Sequence, residues 1–429
     1  MTSRELALAA LRRVEDGAYS NLLLPTLLRD SGLDDRDRAF ATDLVYGTIR
    51  RQRSLDHLLW MTADRPVEAL DPPTRVALRL GAYQLLVDVP AHAAVGETVA
   101  IAPRRARSYV NAVLRAVARL GPPWPWPEGD DAAALGVRLS YPEWIVDELV
   151  AEYGLADARA TLEVSNEAPP VALRLNTRRG HVDQVAGELR AAGADVTAGE
   201  LVAGALLVRG IGDAAQVPAV AEGRATPQDE ASQAVVEVFA PRLGDTVVDV
   251  AAAPGGKATA IGERVGDGRV VACDVQAARI RLVSVARERL GLDHVFPVVA
   301  DGRALPVHDG SADRVLVDAP CSGLGVLRRR AELRWRTRPD AVPQLTHLQQ
   351  DLLRAAARAV RADGVVVYSV CTLTADETSG IDAWAERALP ELVADPPPGP
   401  PWRPRGRGAL LLPHDAGTDG MYVLRLHHT

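Results

Sequence analysis

Lysine occurs once in the 429 residues, as Lys257, while arginine occurs 48 times. An ammonium and a guanidinium differ in shape and hydration, so a chain that uses arginine everywhere else and keeps lysine at one position marks that position. Cysteine is nearly as scarce. Cys273, Cys321 and Cys371 are the three, too few and too odd in number for a disulfide framework, and a reducing cytoplasm is the expected setting. No stretch approaches the roughly 18 apolar residues of a membrane helix, and the N-terminal MTSRELALAALRRVEDG lacks a signal peptide's apolar core. Membrane association is not expected, and neither is a bound metal. Two nucleotide-binding motifs are absent as well. A phosphate loop of form GxxxxGK[ST] needs Gly at 251 and Ser or Thr at 258, where this chain has Ala251 and Ala258, and GxGxxG does not occur. That argues against a dinucleotide-dependent oxidoreductase. With a net charge of −7, indiscriminate binding to polyanions is disfavoured, so any nucleic-acid contact has to be regional.

What the chain does contain is organised around Thr246–Thr259, TVVDVAAAPGGKAT. A β-branched run, an Asp, small residues and then Pro254, Gly255, Gly256 and Lys257 read as a strand turning sharply into a helix whose first N–H groups stay free. Such a turn suits a ligand. Further apolar runs follow at intervals: Arg269–Cys273 ends at Asp274, Val295–Ala300 at Asp301, Asp313–Val317 at Asp318 and Gly364–Val370 at Cys371, with helical stretches between several of them. Alternating strands and helices predict a mostly parallel α/β sheet, whose ligands sit beyond the carboxyl ends of the strands near the switch point. Asp274, Asp301, Asp318 and Cys371 are therefore expected around one crevice. Asp274 comes 18 residues after Gly256, close to the ~20-residue offset at which an acid reaches ribose hydroxyls. One strand-end Asp taken alone is more often a turn or helix cap; three in register with a glycine turn are much less often caps.

Residues 1–120 read as helical throughout, with Leu6, Ala10 and Val14 on one face and Phe40 and Leu44, then Leu55, Leu58 and Leu59, on later ones. This stretch carries 17 Arg against 14 Asp plus Glu, and Arg50, Arg51, Arg53, Arg104, Arg105, Arg107 and Arg115 are candidates for phosphate contacts, set against an ordinary solvated face. GPPWPWPE at 121–128 must break the helices, because proline removes donors and fixes φ. A Pro/Trp-rich linker is placed at 121–138. Beyond it, a helix, an extended VALRLNT, a second helix and a short strand predict a small α+β subdomain at 139–227 ahead of a catalytic sheet at 228–429. The arginines of LRRRAELRWRTRP, from Arg328 to Arg338, suit tracking of an RNA backbone, with an ordinary helix surface as the alternative. A closing strand is expected at Met421–Leu426.

The letters themselves carry a family likeness. DVAAAPGGK at 249–257, QDEASQ at 228–233, DAPCSG at 318–323 and the Cys-Thr at 371–372 resemble the RNA cytosine-C5 methyltransferases of the RsmB/Nop2/Sun type, except that Ala251 stands where the family commonly has Cys. Upstream, DRDRAFATDLVYGTIRR at 35–51 and YVNAVLR at 109–115 are similar to the NusB-like module joined to the RsmB-type enzymes. The resemblance covers nearly the whole chain. It implies an all-α NusB-like RNA-binding domain at 1–120, an RNA-recognition-like α+β subdomain, and a Rossmann-like S-adenosylmethionine-dependent methyltransferase domain. It also implies a cytoplasmic monomer acting in rRNA processing on RNA, 16S rRNA in an unassembled or partly assembled state.

Residue by residue, the resemblance makes Cys371 the nucleophile and gives Cys321 the release of methylated RNA. Asp318 would hold the cytosine edge or donate a proton to it, and Lys257 would stabilise charge on the base. Cofactor binding falls to Ala251, Ala252, Ala253, Pro254, Gly255, Gly256 and Lys257 for the amino-acid part, Asp274 for the ribose and Asp301 for the adenine edge, with Asp318 adjoining. Cys273, inside a strand, is expected only to pack. Two other readings remain at this point: a catalytically silent RNA-binding or ribosome-assembly factor, and a tRNA cytosine-C5 methyltransferase.

Overall fold

The computed structural model describes residues 1–429 and divides into two compact units, residues 1–166 with 327–336, and residues 167–326 with 337–429. No helix is long and apolar enough to cross a membrane.

The first unit is helical, as the periodicity predicts. Its helices up to Leu120 are Ser3–Glu15, Ser20–Arg29, Asp35–Arg50, Gln52–Trp60, Pro72–Leu86, Ala91–Ile101 and Arg107–Leu120. They close over Leu6, Leu44, Leu55, Leu58, Leu78 and Leu114, all fully buried. Local signals set the starts: Thr2 and Glu5 form a reciprocal capping box, and Asp34 accepts from Asp37 N. The stretch read as a linker is irregular only through its proline-rich first half. Asp131 caps a further helix, Ala132–Leu139, where the prolines have ended and alanines and a leucine favour helix.

The arginine-rich segment 327–336 corrects a sequence expectation. Arg334 is wholly buried and stacks 4.0 Å above the Tyr141 ring; its guanidinium donates to the carbonyls of Arg50, Ser140, Ser165 and Leu327 and to Asn166 Oδ1. Burial lowers its pKa to about 10, which leaves it cationic at neutral pH. Arg336 donates to the carbonyls of Val14 and Ala18, and Arg50 to that of Arg328. Arg328 is buried, while Arg330 and Arg338 are exposed. Arg334 spends both Nη groups inside this unit and is closed off from RNA, and Arg336 gives its Nη2 to carbonyls of the same unit. Arg53 is likewise committed, to Tyr141 O and Glu143.

The second unit holds two sheets. The smaller uses β1 (Val171–Leu175), β2 (Asp195–Ala198), β3 (Leu206–Arg209) and β4 (Ala225–Pro227) in the antiparallel order β2-β3-β1-β4, covered by the helix Val182–Ala191 through Val185, Ala186 and Leu189. The larger sheet begins with β5 (Thr246–Asp249), β6 (Arg269–Asp274), β7 (Val295–Val299), β8 (Ala312–Asp318) and β9 (Val360–Val370), which run parallel in the order β7-β6-β5-β8-β9. It is completed by β10 (Leu392–Ala394), β11 (Arg403–Arg405), β12 (Gly408–Leu411) and β13 (Met421–His428), with β13 antiparallel to β9. The chain moves from β5 outward through β6 and β7, then returns to β8 on the other side. A switch point therefore opens beside β5, where doubly wound sheets bind ligands.

Arg174 of β1 fastens the small sheet to this point. Its side chain pairs with Glu263 at 2.8 Å, both nearly buried, and donates to Thr259 Oγ1, the Gly256 carbonyl and Gln228 of the QDEASQ motif. In the same motif Asp229 caps the helix Glu230–Phe239, and Gln233 Nε2 donates to the Gln228 carbonyl.

Candidate active site

Five parallel strands bring the predicted residues to one edge. The turn after β5 depends on Gly255, whose φ of +106° lies in the left-handed region and whose absent Cβ would stand 3.2 Å from Val283 Cα. An L side chain there is both strained and obstructed. Gly255 caps the helix Gly256–Val265, whose first backbone bond from within runs from Thr259 N to the Gly255 carbonyl. The preceding amides, those of Gly256, Lys257 and Ala258, form the electropositive helix start.

Lys257 is nearly buried and its Nζ donates to Asp318 Oδ2 at 2.9 Å. Burial by itself would lower its pKa, but the charge and hydrogen bond of Asp318, with help from Cys371 and Asp249, outweigh that and hold it above the ordinary value. It is therefore a fixed ammonium. The other oxygen of Asp318 accepts from Ser369 Oγ at 2.8 Å, so the carboxylate is oriented from both sides.

The two outer cysteines meet. Cys321, on the loop after β8, and Cys371, at the end of β9, stand with their sulfurs 3.5 Å apart, both half-buried. The contact with Cys371, then burial, pushes the Cys321 thiol well above its ordinary range. Cys321 is thus held as the thiol at neutral pH. Gly325 keeps the loop tight against this end: its amide donates to the Cys371 carbonyl, and a Cβ on it would lie 2.2 Å from the Gly420 carbonyl oxygen. Cys273 is fully buried inside β6, where it packs, and its thiol is raised to about 12, mainly by burial.

Asp274, 4% exposed, accepts from Gln276 N at 2.9 Å and pairs with Arg279 at 3.2 Å. Asp301 is more open and is held by Arg303 through both oxygens. The sequence reading passed over Ser369, Arg279 and Asp249. Arg279 also donates to the Ala253 carbonyl, which ties the glycine turn to Asp274. Asp249 is the least accessible of the strand-end aspartates: it is fully buried, and neither oxygen has a well-formed hydrogen bond, the Ala251 amide giving only a weak one. Its position at the end of the central strand was the available signal.

Burial first, then the charge of Asp318, raises the Asp249 carboxyl to about 8 from an ordinary 3.8. An acid with a raised folded pKa holds an extra proton when folded between those two values, so stability is highest below the lower and declines as pH rises toward the upper. The ligand-free chain should therefore lose on the order of a few kcal/mol of unfolding free energy between about pH 4 and pH 8 from this group. Asp249→Asn should flatten that slope in urea titrations at several pH values; an equal slope in both proteins would mean that Asp249 is ionised when folded.

Comparison with known proteins agrees with this architecture. The family model described as 16S rRNA methyltransferase RsmB/F matches residues 236–427, the NusB family matches 1–119, and the ferredoxin-like domain of RsmF/B-like methyltransferases matches 141–214. The ribosomal RNA small subunit methyltransferase B of Thermus thermophilus is 36% identical over 99% of this chain and 97% of its own length. That of Pseudomonas syringae pv. tomato is 34% identical over 99% and 97%. Among solved structures, that of PH0851 is 26% identical, covers 99% of each chain and superposes with a TM-score of 0.87. With full-length identity above 30% and a module match in each part, the chain belongs to the ribosomal RNA small subunit methyltransferase B family.

Proposed function

We propose that this protein methylates C5 of a cytosine in 16S rRNA, using S-adenosylmethionine, through a covalent bond between Cys371 and C6 of the base. The observation that carries the reading is the pair of sulfurs 3.5 Å apart beside the Lys257–Asp318 ion pair, all at one strand edge. The donors and acceptors around β5 fit the cofactor. The helix start after the glycine turn offers amides to a carboxylate, and buried Asp249 has acceptor capacity to spare. In this reading Ala251 to Lys257 hold the amino-acid part, Asp274 the ribose hydroxyls and Asp301 the adenine edge. When bound, the cofactor supplies an electrophilic methyl group.

The chain's own groups do the rest. C5 of cytosine is too weak a nucleophile by itself, so the Cys371 thiolate uses an electron pair to form the S–C6 bond, and the π pair of the C5=C6 bond is displaced toward C5 and into the ring. Asp318, held by Ser369 and Lys257, meets the polar edge of the base, and the Lys257 ammonium offsets negative charge developing there. Once C5 is methylated, loss of its proton to a base restores the double bond and expels Cys371 as thiolate; Cys321 serves this release. Exposed Arg104, Arg105 and Arg115 on the helical unit supply phosphate contacts.

Incubation of unmodified 16S rRNA with the protein and cofactor, followed by nucleoside mass spectrometry, tests the reading. It should yield 5-methylcytidine. No methylated nucleoside would favour a silent assembly factor, and methylation confined to tRNA would favour a tRNA enzyme. Asp274→Ala should weaken cofactor binding by well over tenfold, since charge-assisted hydrogen bonds worth roughly 1.5–3 kcal/mol each are lost, while RNA affinity stays the same. An unchanged calorimetric Kd for the cofactor would remove Asp274 from the site.

A further inference from the structure

We infer that Glu377 is a positioning residue that locks the Cys321 loop to the Cys371 strand end and so fixes the separation of the two sulfurs; the inference rests on the roles proposed above for these cysteines. Glu377 is fully buried. One carboxylate oxygen accepts from Ser322 N at 2.9 Å and Gln349 Nε2 at 3.0 Å; the other accepts from Ser322 Oγ at 2.5 Å, Thr374 Oγ1 at 2.8 Å and Thr372 Oγ1 at 3.4 Å. Ser322 directly follows Cys321, and Thr372 directly follows Cys371. The two hydroxyls also touch each other at 2.5 Å, and Gln349 reaches the carbonyl of Pro320, just before Cys321. A single carboxylate therefore holds the residue after each cysteine, and through Gln349 the residue before one of them.

A carboxylate has about four acceptor positions, and the donors around Glu377 fill them. It has none left for a proton-transfer role, so its contribution is geometric and electrostatic. Its own backbone is fixed as well, since Tyr368 Oη donates to the Glu377 carbonyl at 2.8 Å. The charge acts in the same sense as the geometry: after the Cys371 contact, burial and the Cys371 charge, Glu377 adds to the forces that keep Cys321 protonated. An error of about 1 Å in the placement of reacting groups can cost on the order of a hundredfold in rate.

The test uses full-length Glu377→Gln beside the wild-type protein. Expected is a fall in kcat of roughly tenfold to a hundredfold, with KM for RNA and cofactor affinity unchanged, and a shift of Cys321 alkylation by iodoacetamide to lower pH, read site by site by mass spectrometry. A residue that merely stabilised the fold would leave that alkylation profile in place. A folded variant with wild-type kcat overturns the inference, and so does a lowered kcat with an unmoved Cys321 profile. Should Glu377→Gln not fold, Ser322→Ala removes one hydroxyl donor and spares both cysteines. It should lower kcat severalfold, and wild-type turnover there overturns the inference equally. Absence of any RNA adduct in trapping experiments on the wild-type protein would instead remove the covalent reading beneath it, an outcome visible before any variant is compared.

Discussion

Cys371→Ser should abolish methyl transfer, lowering turnover by roughly three orders of magnitude or more, and should abolish every covalent RNA–protein species. A serine hydroxyl ionises far above neutral pH and supplies almost no nucleophile. Cys321→Ala should behave differently, because its thiol is held protonated, pushed well above the ordinary range by contact with Cys371 and by burial. Attack and methylation would proceed in that variant, and release would stall. Incubated with cofactor and substrate RNA, it should give a denaturant-resistant band of slower mobility, absent from Cys371→Ser and from the double variant. An adduct formed only when Cys371 is removed would exchange the two roles. Retained activity with no adduct from either variant would dismiss covalent catalysis.

The second large effect is on stability. Arg334→Leu should cost roughly 3–5 kcal/mol of unfolding free energy. It strips four carbonyls and Asn166 Oδ1 of a buried donor, along with the guanidinium stacked on Tyr141. Exposed Arg330→Ala, from the same arginine run, should change stability by no more than about 0.5 kcal/mol. Urea unfolding of the full chain separates the two predictions. Equal small effects would mean that the Arg334 contacts do not hold the segment 327–336 in place.

That contrast shows where the sequence was legible. The strand-end positions of Asp274, Asp318 and Cys371 follow from period and topology, because each closes an apolar run in an alternating β/α pattern. The Gly255 turn was readable for a similar reason, since few other residues tolerate that backbone. Arg334 was not readable. An arginine run looks the same whether it faces phosphate or carbonyls, and its acceptors come from residues 50, 140, 165 and 166, remote in sequence. Glu377 escaped for the same reason, its donors Ser322 and Gln349 lying 55 and 28 positions away. The short strands β2 and β4 carry too few apolar residues to show a period. Asp249 was visible as a letter, but its burial among other acids appears only once β6 and β8 flank β5.

The most direct test of the covalent account is to locate the bond. The adduct trapped with Cys321→Ala, digested with protease and nuclease and sequenced by tandem mass spectrometry, should carry its nucleotide remnant on Cys371, as a cytosine bearing a methyl group at C5 and the sulfur at C6. A remnant on any other residue, or a nucleotide attached through a position other than C6, would contradict the account.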